Sequence, residues 1–180
     1  MHELSLHILD IAENGVAAGA DLICISIMED RKNNWLRMTI TDNGRGISDK
    51  MLEKVMDPFF TTKKTRRVGL GFSLLSEASK RCGGEFKITS GEGKGTKVSV
   101  SFRLDHIDLA PMGDIVGTIT GLIMGNPEMD FVYNHKVDDK TFHMDTRDIR
   151  DELDEVPIHN PKVLKVISTS IQESIKELNK

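Results

Sequence analysis

The sequence predicts an α+β fold, a two-layer sandwich with helices on one face of a mixed, mostly antiparallel sheet. Three observations lead there. The chain opens with apolar residues at helical spacing and passes directly into two strand-like runs; a second helical segment at 69–82 precedes two alternating runs at 86–88 and 98–102. Within each pair the strands are joined by turns rather than by helices, which disfavours repeated βαβ units.

Residues 4–18 set Leu4, Ile8 and Ile11 on one helical stripe and stack Asp10 over Asn14, one turn apart, on a different face. Gly19 ends this helix, and Leu22 to Met28, rich in β-branched residues, reads as a buried strand. A turn at 30–34 leads into a second strand, 35–41, so the pair makes a hairpin ending at Asp42. Ser48 caps a short helix at 49–55 that Pro58 closes. Residues 61–68 hold Lys63, Lys64, Arg66 and Arg67 with no acid and no apolar period, and read as a long basic loop. The helix at 69–82 is broken by Gly83-Gly84, and the two strands after it are joined through a Gly91 to Gly95 turn.

Beyond about Leu104 the character changes, so the expected division is a main domain at 1–104 and a C-terminal appendage at 105–180. The appendage reads as a loose helix between Gly113 and Gly125, a hairpin around Asp138-Asp139, and an acid-rich 138–155 stretch that is a solvated helix face. A final helix is capped by Asn160 with Pro161 in its first turn. Its stripe of Val163, Ile167, Ile171, Ile175 and Leu178 packs on its own protomer or serves a dimer or partner groove.

Composition narrows the function classes. At 180 residues, 38% hydrophobic, 29% charged and net charge −4, the chain has the profile of a soluble globular protein without a nucleic-acid footprint. Its apolar stretches are far shorter than the roughly 20 residues that span a bilayer. The start Met1-His2-Glu3-Leu4 lacks signal-peptide character, so a cytoplasmic location and no membrane partner are expected. Cys24 and Cys82 stand too far apart for a zinc knuckle or CxxC pair and read as two buried thiols. His106, His135, His143 and His159 lack metal-ligand spacing, and His2 and His7 read as terminal or surface residues.

Three short elements are able to carry chemistry. On the first helix, Asp10, Glu13 and Asn14 are polar groups that need a polar counterpart. An amide oxygen such as that of Asn14 suits Mg²⁺ together with phosphate oxygens, and a carboxylate one turn earlier can deprotonate a water. The second element, Asp42-Asn43-Gly44-Arg45-Gly46, is an Asn-Gly turn on the ordinary reading. On the functional one, Asp42 accepts from an exocyclic amine such as adenine's, while Gly44 and Gly46 let a ring approach the backbone. The third, Gly69-Leu70-Gly71, precedes a helix whose first amides can bind phosphate. Leu74 stands where a GxGxxG fingerprint needs glycine, and no GxxxxGK[ST] is present.

The order and spacing of these elements, with Asp57-Pro58-Phe59-Phe60-Thr61-Thr62-Lys63-Lys64 between the second and third, resembles the GHKL (Bergerat-fold) ATPases over about residues 4–103. That superfamily includes gyrase, heat-shock chaperones, histidine kinases and mismatch-repair ATPases. Asp10 through Ala20 is similar to the N box of the mismatch-repair branch, and Asp57 through Gly71 is similar to the sensor histidine kinases. The resemblance implies the Bergerat sandwich with ATP and Mg²⁺ as its ligands. It implies Asn14 as the magnesium ligand, Asp42 as the acceptor for the adenine amine, and Gly44 and Gly46 beside the base. Gly69, Leu70 and Gly71 become a phosphate-contacting lid hinge, with Phe59 and Phe60 anchoring the lid. Lys63 reaches the phosphates, and Thr96 supports the adenine pocket from the sheet floor.

Three departures bear on activity. The family's general-base Glu is Asp10 here, one methylene shorter, with Glu13 as a substitute about 100° away from Asn14 on the helix. Arg67 stands where the kinase glycine box begins with Gly, and no phosphoacceptor hairpin precedes the N box. The expected protein is therefore a stand-alone Mg-ATP module that phosphorylates a separate partner, in the manner of anti-sigma-type kinases, or switches its conformation. A non-catalytic nucleotide sensor and a slow ATPase are the alternatives, and a protein client and a homodimer are the partners.

Overall fold

The computed structural model describes residues 3–55 and 70–180. In chain order the elements are α1 (Leu4–Ala17), β1 (Leu22–Asp30), β2 (Trp35–Asp42), α2 (Asp49–Val55), α3 (Leu70–Arg81), β3 (Phe86–Ser90) and β4 (Thr96–Arg103). They continue with α4 (Ile115–Gly125), β5 (Asp130–Val137), β6 (Lys140–Asp145), α5 (Thr146–Leu153) and α6 (Pro161–Leu178). The expected order through residue 103 is the order observed. Pro58, Phe59, Lys63, Arg67, Gly69, His2 and the rest of the basic 61–68 stretch lie outside the described residues.

All six strands form one sheet in the order β3-β4-β2-β1-β5-β6, antiparallel except for the parallel β1–β5 pair. Alternation decides its faces. Ile23, Ile25 and Ile27 of β1, Leu36, Met38 and Ile40 of β2, and Val98, Val100 and Phe102 of β4 are buried, while the residues between them are partly or fully exposed. Against the buried face pack α1, α3, α4 and α6. α1 supplies Leu4, Ile8, Ile11 and Ala12, and α3 supplies Phe72 and Leu75.

The sheet crosses the boundary expected near Leu104. β1 is buried on its inner face at Ile23, Ile25 and Ile27 and pairs on both edges, with β2 on one side and β5 on the other. One apolar core holds Ile8, Ile25 and Phe102 together with Ile119, Phe131 and Ile171. The 113–125 segment is a capped helix, Asp114 accepting from Gly117 N–H at 2.8 Å, and the 138–139 hairpin joins β5 to β6 with Asp138 at φ 49°. α6 packs on its own protomer through Ile167, Ile171 and Leu178, leaving Val166 69% exposed. α5 presents Asp148, Asp151 and Glu152 to solvent. Arg150 ties it to the start of β5, donating to Asp130 Oδ1 at 3.1 Å and to the Met129 carbonyl at 2.9 Å. Among the described residues no helix is long and apolar enough to cross a membrane.

Two side-chain expectations are corrected. Cys82 is buried, but Cys24 falls on the outer phase of β1 and is only half-buried, because alternation turns it away from Ile23 and Ile25. His7 is not a surface histidine: it is buried. The first turn of α1 is fastened to a distant loop, with Leu4 N–H donating to Pro111 O at 2.9 Å and Ser5 N–H to Met112 O at 2.8 Å, contacts that local sequence does not encode.

Candidate functional site

α1 brings Asp10 and Asn14, both half-buried, to the inner side of the sheet beside the end of β2. Gly15, the next residue after Asn14, lies so close to Asp42 that a Cβ on it would stand 2.9 Å from the Asp42 Cβ. The two polar elements that lie far apart in sequence therefore meet. Asp42 accepts from Gly44 N–H at 2.9 Å through Oδ1, which folds the turn back on itself. Gly44 is buried against Ala18, whose carbonyl accepts from Arg45 N–H at 3.0 Å.

Gly46 has φ 70°, and a Cβ there would stand 1.9 Å from the Gly91 carbonyl oxygen, so no other residue fits this crossing. The crossing joins the 42–46 turn to the β3–β4 turn, where Gly93 N–H donates to Arg45 O at 2.7 Å. Ser90 is the centre of the contact. Its hydroxyl donates to Gly95 O at 2.7 Å and accepts from Ile47 N–H at 2.8 Å. Thr96, buried and directly opposite Asp42 across β2 and β4, lies 2.9 Å from the same oxygen. Ser90 has one proton and spends it on Gly95, so the Thr96 hydroxyl donates to Ser90 and keeps its lone pairs for acceptance. Asp42 and Thr96 thus stand as two acceptors opposite each other at the ends of β2 and β4.

At the other end, α3 begins against α1. A Cβ on Gly71 would stand 1.7 Å from Asp10 Oδ2, so the Asp10 carboxylate packs on the first turn of α3 and a side chain at 71 would have to displace it. Leu70 opens that helix. Glu13 is not brought to this group: it is exposed and lines a groove with Leu9, Val16, Gly121 and Leu122, between α1 and α4. His7 shares the Asp10–Asn14 side of α1, and burial pulls its imidazole down from 6.5 to about 4, so it is neutral near pH 7.

Sequence reasoning missed Ser90 and Asn43. Asn43 accepts from Asp21 N–H and Leu22 N–H, both at 3.0 Å, and its amide donates to the Asp21 carboxylate, holding the start of β1 to the end of β2. Ser90 had a readable signal, since it follows Phe86 and Ile88 in the inward phase of β3, where a polar residue needs partners. The remaining histidines gain positions the spacing did not suggest. His135 is buried, its Nδ1 2.8 Å from the Tyr133 hydroxyl and its Nε2 3.5 Å from Glu29, whose carboxyl it holds below the usual range. His143, Asp145 and Asp148 bring ligand-type atoms within 4.8 Å of one another. Asp145 there is already engaged by the Arg147 guanidinium, at 2.6 Å, and caps α5.

A helix-bearing polar pair, a glycine-crossed acid turn and a glycine-led second helix, all on the inner face of a mostly antiparallel sheet, define a Bergerat-type sandwich. The chain belongs to the family of histidine kinase-, DNA gyrase B- and HSP90-like ATPases, whose model matches residues 2–106. The sensor histidine kinase ZraS of Escherichia coli is 29% identical over 106 residues, 59% of this chain and 23% of that protein. The CAI-1 autoinducer sensor kinase/phosphatase CqsS of Vibrio cholerae is 34% identical over 80 residues, 44% of this chain and 11% of that protein. The chain therefore spans less than a quarter of the length of either. In fold it is similar to the Aquifex aeolicus MutL ATPase domain complexed with ADP, with TM-score 0.53 and 16% identity over 80% of this chain and 64% of that one.

Proposed function

We propose that the chain binds Mg-ATP in the cleft between α1, α3 and the β2–β4 end of the sheet, and uses it to phosphorylate a separate protein in the cytoplasm. The observation that carries the binding reading is the opposed pair Asp42 and Thr96, two acceptors facing each other across β2 and β4. Adenine offers an amine at the position where guanine offers an oxygen, so an acceptor-rich pocket end selects ATP over GTP. The donor set also fits the metal. The Asn14 amide is a hard oxygen ligand on the same helix side as the Asp10 carboxylate, and Asn14 is the residue that would hold Mg²⁺. When bound, Mg²⁺ neutralises charge on the phosphate oxygens. Leu70 and Gly71 open α3, whose first amides are suited to phosphate, and the family resemblance gives phosphate-contacting roles to Gly69 and Lys63 and a lid-anchoring one to Phe59, all three outside the described residues.

Transfer to an outside acceptor is favoured over hydrolysis because Asp10, one methylene shorter than glutamate, packs on the first turn of α3, and Glu13, the alternative base, lies in the groove between α1 and α4. A second reading rests on the same Asp10–Gly71 contact: nucleotide that repositions α3 makes ATP a conformational switch for a client protein.

Calorimetry with Mg-ATP and Mg-GTP tests the binding step. Asp42→Asn removes a charged acceptor worth about 1.5–3 kcal/mol, so ATP affinity falls roughly 10- to 100-fold while the already weak GTP affinity changes less. Equal losses for both nucleotides, or none, remove the adenine assignment. Transfer is read by incubating the chain with γ-labelled ATP and cell extract: label moves to a second protein, and Asn14→Ala abolishes it. Intact binding without transfer leaves the switch reading in its place.

A further inference from the structure

The edge of the sheet farthest from β3 carries a surface complementary to itself. β6 is the last strand, and among the described residues nothing pairs with its outer edge. α6 runs antiparallel beside it. At one end Lys140 Nζ donates to Glu177 O at 3.2 Å, and at the other Met144 lines a cleft with Val163 and Ile167. Between the strand and the outward face of α6 lies an open groove of about 790 Å³.

Along that face the order is Lys165 and Val166, then Thr169 and Ser170, then Glu173 and Glu177. The amino-terminal part carries Lys165, the middle is small and hydroxylated, and the carboxy-terminal part carries Glu173 and Glu177, with Lys140 of β6 and Lys180 beside Glu177. Turned through half a revolution and laid antiparallel on itself, the helix sets Lys165 against the Glu173–Glu177 end of its copy, twice over. A rotation axis perpendicular to the sheet at Phe142 also pairs β6 with itself antiparallel while keeping like faces together. Because Lys140 lies by Glu177 and Met144 by Val163, that axis passes near the middle of the 165–177 stretch. One axis therefore serves strand and helix alike, which is the condition for an isologous interface.

We propose that β6 and α6 form a homodimer interface, joining two six-stranded sheets edge to edge with the α6 helices antiparallel across the seam. The occupant of the groove is a second copy of this chain. An 18-residue helix is about 27 Å long, which with the strand edge suits the roughly 800 Å² per partner of a stable interface. The dimer covers Val166 and closes an exposed strand edge that is otherwise an aggregation hazard. Glu177 already meets Lys180, but both side chains are 69% exposed and such surface pairs exchange at little cost. The seam leaves the Asp42–Thr96 cleft open, so it stands independently of the nucleotide reading.

Sedimentation equilibrium of the full chain without nucleotide reads the outcome. The expected mass is twice that of the chain. Lys165→Glu, and separately the Glu173→Lys/Glu177→Lys pair, each weaken dimerisation by roughly tenfold or more, and the three changes together restore it. Val166→Glu, an exposed substitution monitored by circular dichroism for retained folding, also gives monomer. A monomer at concentrations up to about 100 μM, a dimer indifferent to Lys165→Glu and Val166→Glu, or a triple variant as weak as its parents overturns the proposal.

Discussion

Asp10 and Gly71 act as one unit, because the carboxylate oxygen occupies the space a side chain at 71 would need. Gly71→Ala should therefore lower nucleotide affinity, or whatever turnover is measured, to about the level of Asp10→Ala, with little further loss when the two are combined. Simple additivity of the two changes would show that they act separately. His7 gives a pH test. Its folded value is depressed to about 4 from 6.5, so its contribution is intact above about 6.5 and is lost as pH falls toward 4, where the unfolded chain takes up a proton that the folded chain refuses. Urea titrations at several pH values should show a decline over that window that His7→Leu flattens; an unchanged slope in the variant would assign the decline to other groups. At this scale the sequence singled out Asp10, Asn14, Asp42 and Thr96 as candidates, and the fold brings them to one side of the sheet. It did not separate Asp42, at the cleft, from Asn43, which is tied into the β1 start, because adjacent residues in a turn point apart in ways that φ and ψ decide.

Elements were more legible than side chains. Apolar periodicity located α1, β1, β2, α3, β3, β4 and α6, since each buries one face and must repeat at 3.6 or 2. Their ends depend on partners, and β1 runs to Asp30, past the expected 28, because β2 and β5 continue beside it. Asn43 links two of these elements, and Asn43→Ala leaves two backbone N–H groups without their acceptor. The expected loss is about 1–3 kcal/mol in chemical denaturation. Ile171, fully buried, should cost about 2–5 kcal/mol as Ile171→Ala, with the midpoint moving and the m-value unchanged. A cost near zero would mean that α6 contributes little to the common core.

For the molecule as a whole, the parallel β1–β5 pairing has the largest consequence. A fragment ending at residue 104 leaves one edge of β1 unpaired and uncovers Ile25 and Ile27 where Tyr133 and His135 stand beside them. It should be insoluble or bind ANS, whereas the full chain should unfold in one transition by both circular dichroism and Trp35 fluorescence. A well-folded 1–104 fragment would show that these residues form a domain by themselves, as expected from the sequence. What the sequence by itself determined was local: the order of helices and strands through residue 103, the acid turn and glycine elements, and through them the family. The tertiary structure decided that the 105–180 segment shares the sheet, that Asp10 faces α3 while Glu13 faces α4, and that Ser90 holds Thr96 as an acceptor. Those outcomes depend on contacts between residues distant in the chain, and periodicity carries no information about which strand edge a later segment will find.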